Sequence, residues 1–150
     1  MSSELRDWIV LIVQMATLLA IVVAAWQLTY HSRQMHRDLE SLYVQRNWAI
    51  MDRRSLKWWA NGKPTSDDYL VLRAYLQLCE DEIDLRRRGR VTDSTWAFWA
   101  QAISEQCSAE PYATALAAAP DEEYPSLRLH LGGKTDPLSR KWLWRLMHGL

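Results

Sequence analysis

Residues 8–30 read WIVLIVQMATLLAIVVAAWQLTY, twenty-three positions without a charged side chain. As a helix this run is about 35 Å long, enough to cross a hydrocarbon core of about 30 Å with some tilt. Trp8 stands at one end and Trp26 and Tyr30 at the other, where rings with an apolar body and a polar edge favour the headgroup level. A core helix of a soluble domain rarely runs this long without a charge. A cleaved leader would have a basic flank, a shorter apolar core and a small-residue cleavage site. Here Glu4, Arg6 and Asp7 form the flank, and the run ends in bulky residues. The expectation is an uncleaved transmembrane helix in contact with membrane lipid.

The flanks also set a direction. Arg6 is the one basic residue before the run, whereas Arg33, Arg37, Arg46, Arg53, Arg54 and Lys57 follow it. The basic side normally stays in the cytoplasm, so residues 1–7 are expected outside and the rest of the chain inside. Cys79 and Cys107 would then be free thiols in a reducing compartment. Within the span, Gln14 is an amide that prefers an interhelical hydrogen bond to hydrocarbon. Ala16, Ala20 and Ala24 form a small-residue stripe along which another helix can approach. Both features suit pairing with other membrane proteins or with a second copy.

Beyond the anchor the chain has room for one domain. Eighteen basic residues balance eighteen acidic ones, which removes any bulk attraction to nucleic acid. Five glycines and five prolines are too few for a loop-rich β fold, and nine tryptophans suit cores, interfaces and membrane belts. The expected fold is all-α: one N-terminal transmembrane helix continuing into a small helical cytoplasmic bundle.

The anchor is expected to run on as a juxtamembrane helix over residues 31–60, where no Gly or Pro breaks it. Met35, Leu39, Leu42, Ala49 and Leu56 lie close to heptad spacing, with Tyr43, Trp48, Ile50 and Met51 widening the apolar face. Residues 61–137 should form a helical domain with an irregular end. NGKPTS, residues 61–66, has turn chemistry. Thr65 or Ser66 can cap a second helix whose face is Tyr69, Leu72, Leu76, Cys79 and Ile83. Arg86, Arg87 and Arg88 suit its C-terminal end, and Gly89 suits the residue after it. A third helix starts near Thr92 or Asp93, with Trp96, Trp99, Ile103 and Cys107 on its face. Pro111 opens a short Ala-rich helix to Ala119, and residues 121–137 look irregular. Residues 138–150 read as a basic Trp-rich helix, in which Arg140, Lys141, Trp142, Trp144 and Arg145 are candidates for docking on a partner or on lipid.

One N-terminal span, a long helix rich in Gln and Arg, and then YLQLCEDEIDLRRRGRVTDSTWAFW over residues 75–99 make a familiar layout. It resembles bacterial single-span proteins of domain-of-unknown-function families. The resemblance covers residues 8–110, implies a helical cytoplasmic domain at a bacterial inner membrane, and carries over no catalytic residue.

Direct signs of chemistry are few. Glu80, Asp81, Glu82 and Asp84 read as a solvated face with i,i+4 pairs such as Glu82–Arg86 and Asp84–Arg88. His31 and His36 are five apart and do not share a helix face, so they do not chelate. Cys79 and Cys107 fall on apolar faces, where a thiol behaves as a small hydrophobe. Gly132-Gly133-Lys134-Thr135 echoes a phosphate loop but lacks the first glycine and a preceding strand. No cofactor, metal or small-molecule substrate is therefore expected. The leading expectation is a non-enzymatic, membrane-anchored interaction protein, an accessory subunit or adaptor of a membrane complex. The alternative is a tethered helical sensor or effector domain in stress or phage response.

Overall fold

The computed structural model describes residues 3–133 and 135–139. Six α-helices follow one another: α1 (Ser3–Met51), α2 (Leu56–Asn61), α3 (Tyr69–Arg87), α4 (Asp93–Cys107), α5 (Tyr112–Ala118) and α6 (Pro125–Gly133). A 3₁₀ turn at Ser66–Asp68 precedes α3, and there is no strand among the described residues. The expected C-terminal helix lies outside the described residues, apart from Leu138 and Ser139 at its start.

α1 is a single helix of 49 residues, roughly 73 Å at 1.5 Å per residue. Its N-terminal half is long and apolar enough to cross a membrane, and none of its most apolar window is buried. Its C-terminal half packs on α3. The face that does so is not the near-heptad row expected from the sequence: Met35, Leu42 and Ala49 are exposed. It runs instead through His36, Glu40, Tyr43, Asn47 and Ile50, at steps of three and four. His36 Nδ1 lies 2.8 Å from the Arg90 carbonyl. Glu40 accepts from the Thr92 N–H and hydroxyl at 3.1 and 2.8 Å. Polar pairing with the turn between α3 and α4 fixes the rotation of α1, and a hydrophobicity pattern carries no trace of it.

The juxtamembrane helix also stops earlier than residue 60. The chain turns at residues 52–55 and restarts as α2. Asp68, far along the chain, is the cause. Its carboxylate accepts from the N–H and hydroxyl of Ser55, both at 2.7 Å, and from those of Thr65 at 2.7 and 2.8 Å. Ser55 then caps α2 by accepting from the Trp58 N–H at 3.1 Å. Burial alone would raise the Asp68 carboxyl, but these donors outweigh it and hold the group well below the usual carboxylate range.

α3 is the central element, in contact with α1, α4, α5 and α6. It buries Leu72, Leu76, Cys79 and Ile83, and also Val71, Tyr75, Leu78, Glu82 and Arg86. A helix surrounded by others needs more than one stripe. Around it close Val91, Trp96, Trp99 and Ile103, then Tyr112, Leu116 and Leu127. Burying one such side chain contributes about 1.5–3 kcal/mol. Gly89, with φ 68°, supplies the left-handed residue that ends α3. Thr92 caps α4 by accepting from the Thr95 N–H.

Residues 121–137 are not irregular throughout, since they contain α6. Pro125 supplies a first-turn position that needs no donor. The cap comes from another helix: Glu80 of α3 accepts from the N–H groups of Ser126 and Leu127 at 3.0 and 2.7 Å. Two orphan donors at the start of α6 are thus satisfied by a carboxylate, which the helix dipole also favours.

Candidate functional site

The positions expected to mark the span and its edges all lie on the surface of α1. Trp8, Gln14, Ala16, Ala20, Ala24, Trp26 and Tyr30 are exposed. Trp26 and Tyr30 pack ring to ring at 6.3 Å, near one end of the apolar run. Arg140, Lys141, Trp142, Trp144 and Arg145 lie outside the described residues.

The acidic run of α3 is not a solvated face. Asp84 does pair with Arg88 at 2.6 Å, but each of the other acids has its own partner or surroundings. Glu80 caps α6. Asp81 accepts from Arg46 of α1 at 3.0 Å and from Gln77 at 2.9 Å. Glu82 does not meet Arg86 and is buried. Arg86, also buried, is engaged by other partners and holds three segments together. Its Nε and Nη2 donate to the two oxygens of Asp136 at 2.9 and 2.5 Å, Nη2 to Asp93 at 2.6 Å, and Nη1 to the Val91 carbonyl at 2.8 Å. Burial works against its charge, but Asp136 and Asp93 outweigh that and keep the guanidinium protonated. Consecutive acids point around a helix, and here Glu80 reaches α6, Asp81 reaches α1, Glu82 lies among α1, α3 and α4, and Asp84 pairs at the end of its own helix.

Glu82 lines a cavity of about 300 Å³ between α1, α3 and α4. Tyr43, Tyr75 and Trp99 form its aromatic walls, and Gln106 adds an amide that accepts from the Tyr75 hydroxyl at 2.9 Å. Trp99 packs against Tyr43 at 6.0 Å between ring centres. Trp48 and Phe98 also line the cavity yet stand 63% and 73% exposed, so they form its rim. Val44, half-exposed, joins this cavity to a shallower depression that Phe98 and Trp99 share with Arg37 and Ser94. Val44, Trp48 and Phe98 make the rim of the cavity apolar and aromatic at the surface, and Glu82 is the one carboxylate that lines the cavity itself. Burial, aided by the charge of Asp81 and partly offset by Arg46, pushes Glu82 up to about 8. Its neutral form therefore predominates at pH 7.

On the far side of Tyr75, Cys79 and Cys107 meet with their sulfurs 3.8 Å apart, both fully buried as free thiols. Burial pushes the Cys79 thiol well up, and the adjacent Cys107 adds to the effect. This environment suppresses the thiolate that nucleophilic or metal-binding chemistry needs. His31 is exposed and His36 is buried on the Arg90 carbonyl. Gly132 and Gly133 end α6, the negative end of the dipole, which repels a phosphate. No group of three His, Cys, Asp or Glu side chains able to hold a metal occurs among the described residues.

Sequence reasoning missed the cavity. Phe98 carried a signal, as a large apolar residue beside the expected face of its helix, whereas Trp48 was counted into the widened apolar face of the juxtamembrane helix. Glu82 carried none, because in sequence it is one acid in a run with Glu80, Asp81 and Asp84. No family model, curated protein or solved structure matches the chain.

Proposed function

We infer that the chain is a membrane-anchored interaction protein, an accessory subunit or adaptor that sits in a bacterial inner membrane through residues 8–30. Its N-terminus faces outward and its helical domain the cytoplasm. The observation that carries this reading is the exposed Val44–Trp48–Phe98 face. Trp48 lies 18 residues past Tyr30 on the same helix, about 27 Å farther along at 1.5 Å per residue. That distance takes it clear of the lipid, so the membrane does not cover this face. Exposed aromatic residues grouped around a depression are the usual composition of a protein–protein hot spot. The apolar run of α1 supports the anchor, and the excess of basic residues after it supports the direction.

The test is a full-length double variant, Trp48→Asp with Phe98→Asp, compared with the parent after extraction in mild detergent. Loss of a large complex on sizing, with unchanged thermal unfolding, is the expected result. A parent that migrates alone would point to the tethered sensor reading and end this one. Reporters fused before Met1 and after Leu150 check direction: the first should behave as exported and the second as cytoplasmic.

A further inference from the structure

The geometry points to the Glu82 cavity as the seat of a basic side chain, Arg or Lys, presented by a protein partner that docks on the Trp48–Phe98 rim. This rests on the interaction reading above and gives it a recognition chemistry. Three observations converge on it. The first is size: at about 300 Å³ the cavity is at the lower limit of ligand pockets, and suits one long side chain better than a cofactor. The second is the wall chemistry. Tyr43, Tyr75 and Trp99 offer ring faces and edges, and a guanidinium or ammonium gains from such rings most where water is excluded. The third is charge. Glu82 is 92% buried by exposure and makes no ion pair among the described residues, while the neighbouring charges, Asp81 and Arg46, already neutralise each other at 3.0 Å. An ionised Glu82 thus leaves one unmatched negative charge at the bottom of an aromatic cavity, and a single incoming cation matches it.

The other titratable groups facing Glu82 are Tyr43 on α1 and Tyr75 and Cys79 on α3. Burial pushes the pKa of all three up, so they remain neutral in the working range. α4 contributes Trp99, Ala102, Ile103 and Gln106 and no charge. Proton linkage follows. An occupant that is cationic must displace the proton Glu82 holds at neutral pH, so its affinity rises with pH and levels off above about 8. An occupant that accepts a hydrogen bond from the protonated acid shows the opposite slope.

The experiment uses the full chain in detergent micelles and titration calorimetry with acetyl-Gly-Arg-Gly-amide. Its neutral match, in which citrulline replaces Arg, is the control. At pH 8.5 the arginine peptide should bind at least about tenfold tighter than the citrulline peptide, and about tenfold or more tighter than at pH 6.5. Glu82→Gln should erase both differences while leaving the circular dichroism spectrum unchanged. Phe98→Ala, at an exposed rim position, should weaken the arginine peptide several-fold without altering thermal unfolding. Equal binding of the two peptides, no binding of either, or an unchanged preference in Glu82→Gln overturns the assignment. Free agmatine binding as tightly as the arginine peptide overturns the partner as its source and makes the cavity a small-molecule site. If the peptide fails but the Trp48→Asp, Phe98→Asp variant still loses its complex, the cavity proposal falls and the interaction reading stands.

Discussion

Asp136→Ala should destabilise the domain far more when Arg86 is present than when it is absent. Arg86 is 1% exposed, and Asp136 accounts for two of its four hydrogen bonds. Removing one partner of a buried ion pair costs about 3–5 kcal/mol, because a charge is left uncompensated. Here the Asp136 side chain is 33% exposed and Asp93 remains, so solvent screening lowers the expectation to about 2–3 kcal/mol. In a domain of this size that is roughly 10–20 °C in Tm. Arg86→Met keeps most of the volume and removes the charge. The carboxylates of Asp93 and Asp136 can rehydrate, and the main loss is the buried Val91 carbonyl, about 1–2 kcal/mol. In that background Asp136→Ala should cost under about 0.5 kcal/mol, a coupling of at least about 1.5 kcal/mol. Near-ultraviolet circular dichroism follows unfolding of the full chain in micelles, because the guanidinium lies 5.9 Å from the Trp96 ring. An equal cost of Asp136→Ala in both backgrounds would refute the ion pair as the link between the segment around Asp136 and the α3–α4 junction.

Three further outcomes follow from the same structure. Glu80→Ala should cost about 1–2 kcal/mol as a lost helix cap, and amide exchange at Ser126 and Leu127 should quicken, while Glu80→Gln retains an acceptor and most of the stability. Urea midpoints from pH 3 to 9 should show two arms. The depressed Asp68 pKa gives stability that is complete above the ordinary carboxylate range and lost as pH falls through and below about 4, an arm that Asp68→Asn removes. The raised Glu82 pKa works the other way: the folded chain keeps a proton the unfolded chain releases, so stability declines from pH 4.5 to about 8, and Glu82→Gln flattens that decline. Finally, a maleimide reagent at pH 8 should label neither Cys79 nor Cys107 until the domain is unfolded; rapid labelling of the folded chain would contradict their burial.

The helical class, the long apolar segment at the N-terminus, the Thr92 cap and the Gly89 terminator were legible because they are local. A helix needs 3.6-residue periodicity, a side-chain oxygen at its start and a left-handed residue at its end, and all three are written in consecutive positions. Leu72, Leu76, Cys79 and Ile83 on α3, and Trp96, Trp99, Ile103 and Cys107 on α4, could be assigned to buried faces on the same ground, but Tyr69, read onto the same face of α3, is exposed. What the sequence could not disclose depends on partners distant in the chain. The break after Met51 depends on Asp68 reaching Ser55, and α6 on Glu80 reaching Ser126 and Leu127. The polar face of α1 depends on His36 and Glu40 reaching Arg90 and Thr92. Glu80, Asp81, Glu82 and Asp84 look alike as a run of acids. The fold gives each a different role, because successive residues point about 100° apart around a helix and α3 is enclosed on several sides. The cavity belongs wholly to that second kind of information. Its walls come from three helices, and only their packing turns Glu82 from one acid among four into a carboxyl among aromatic rings.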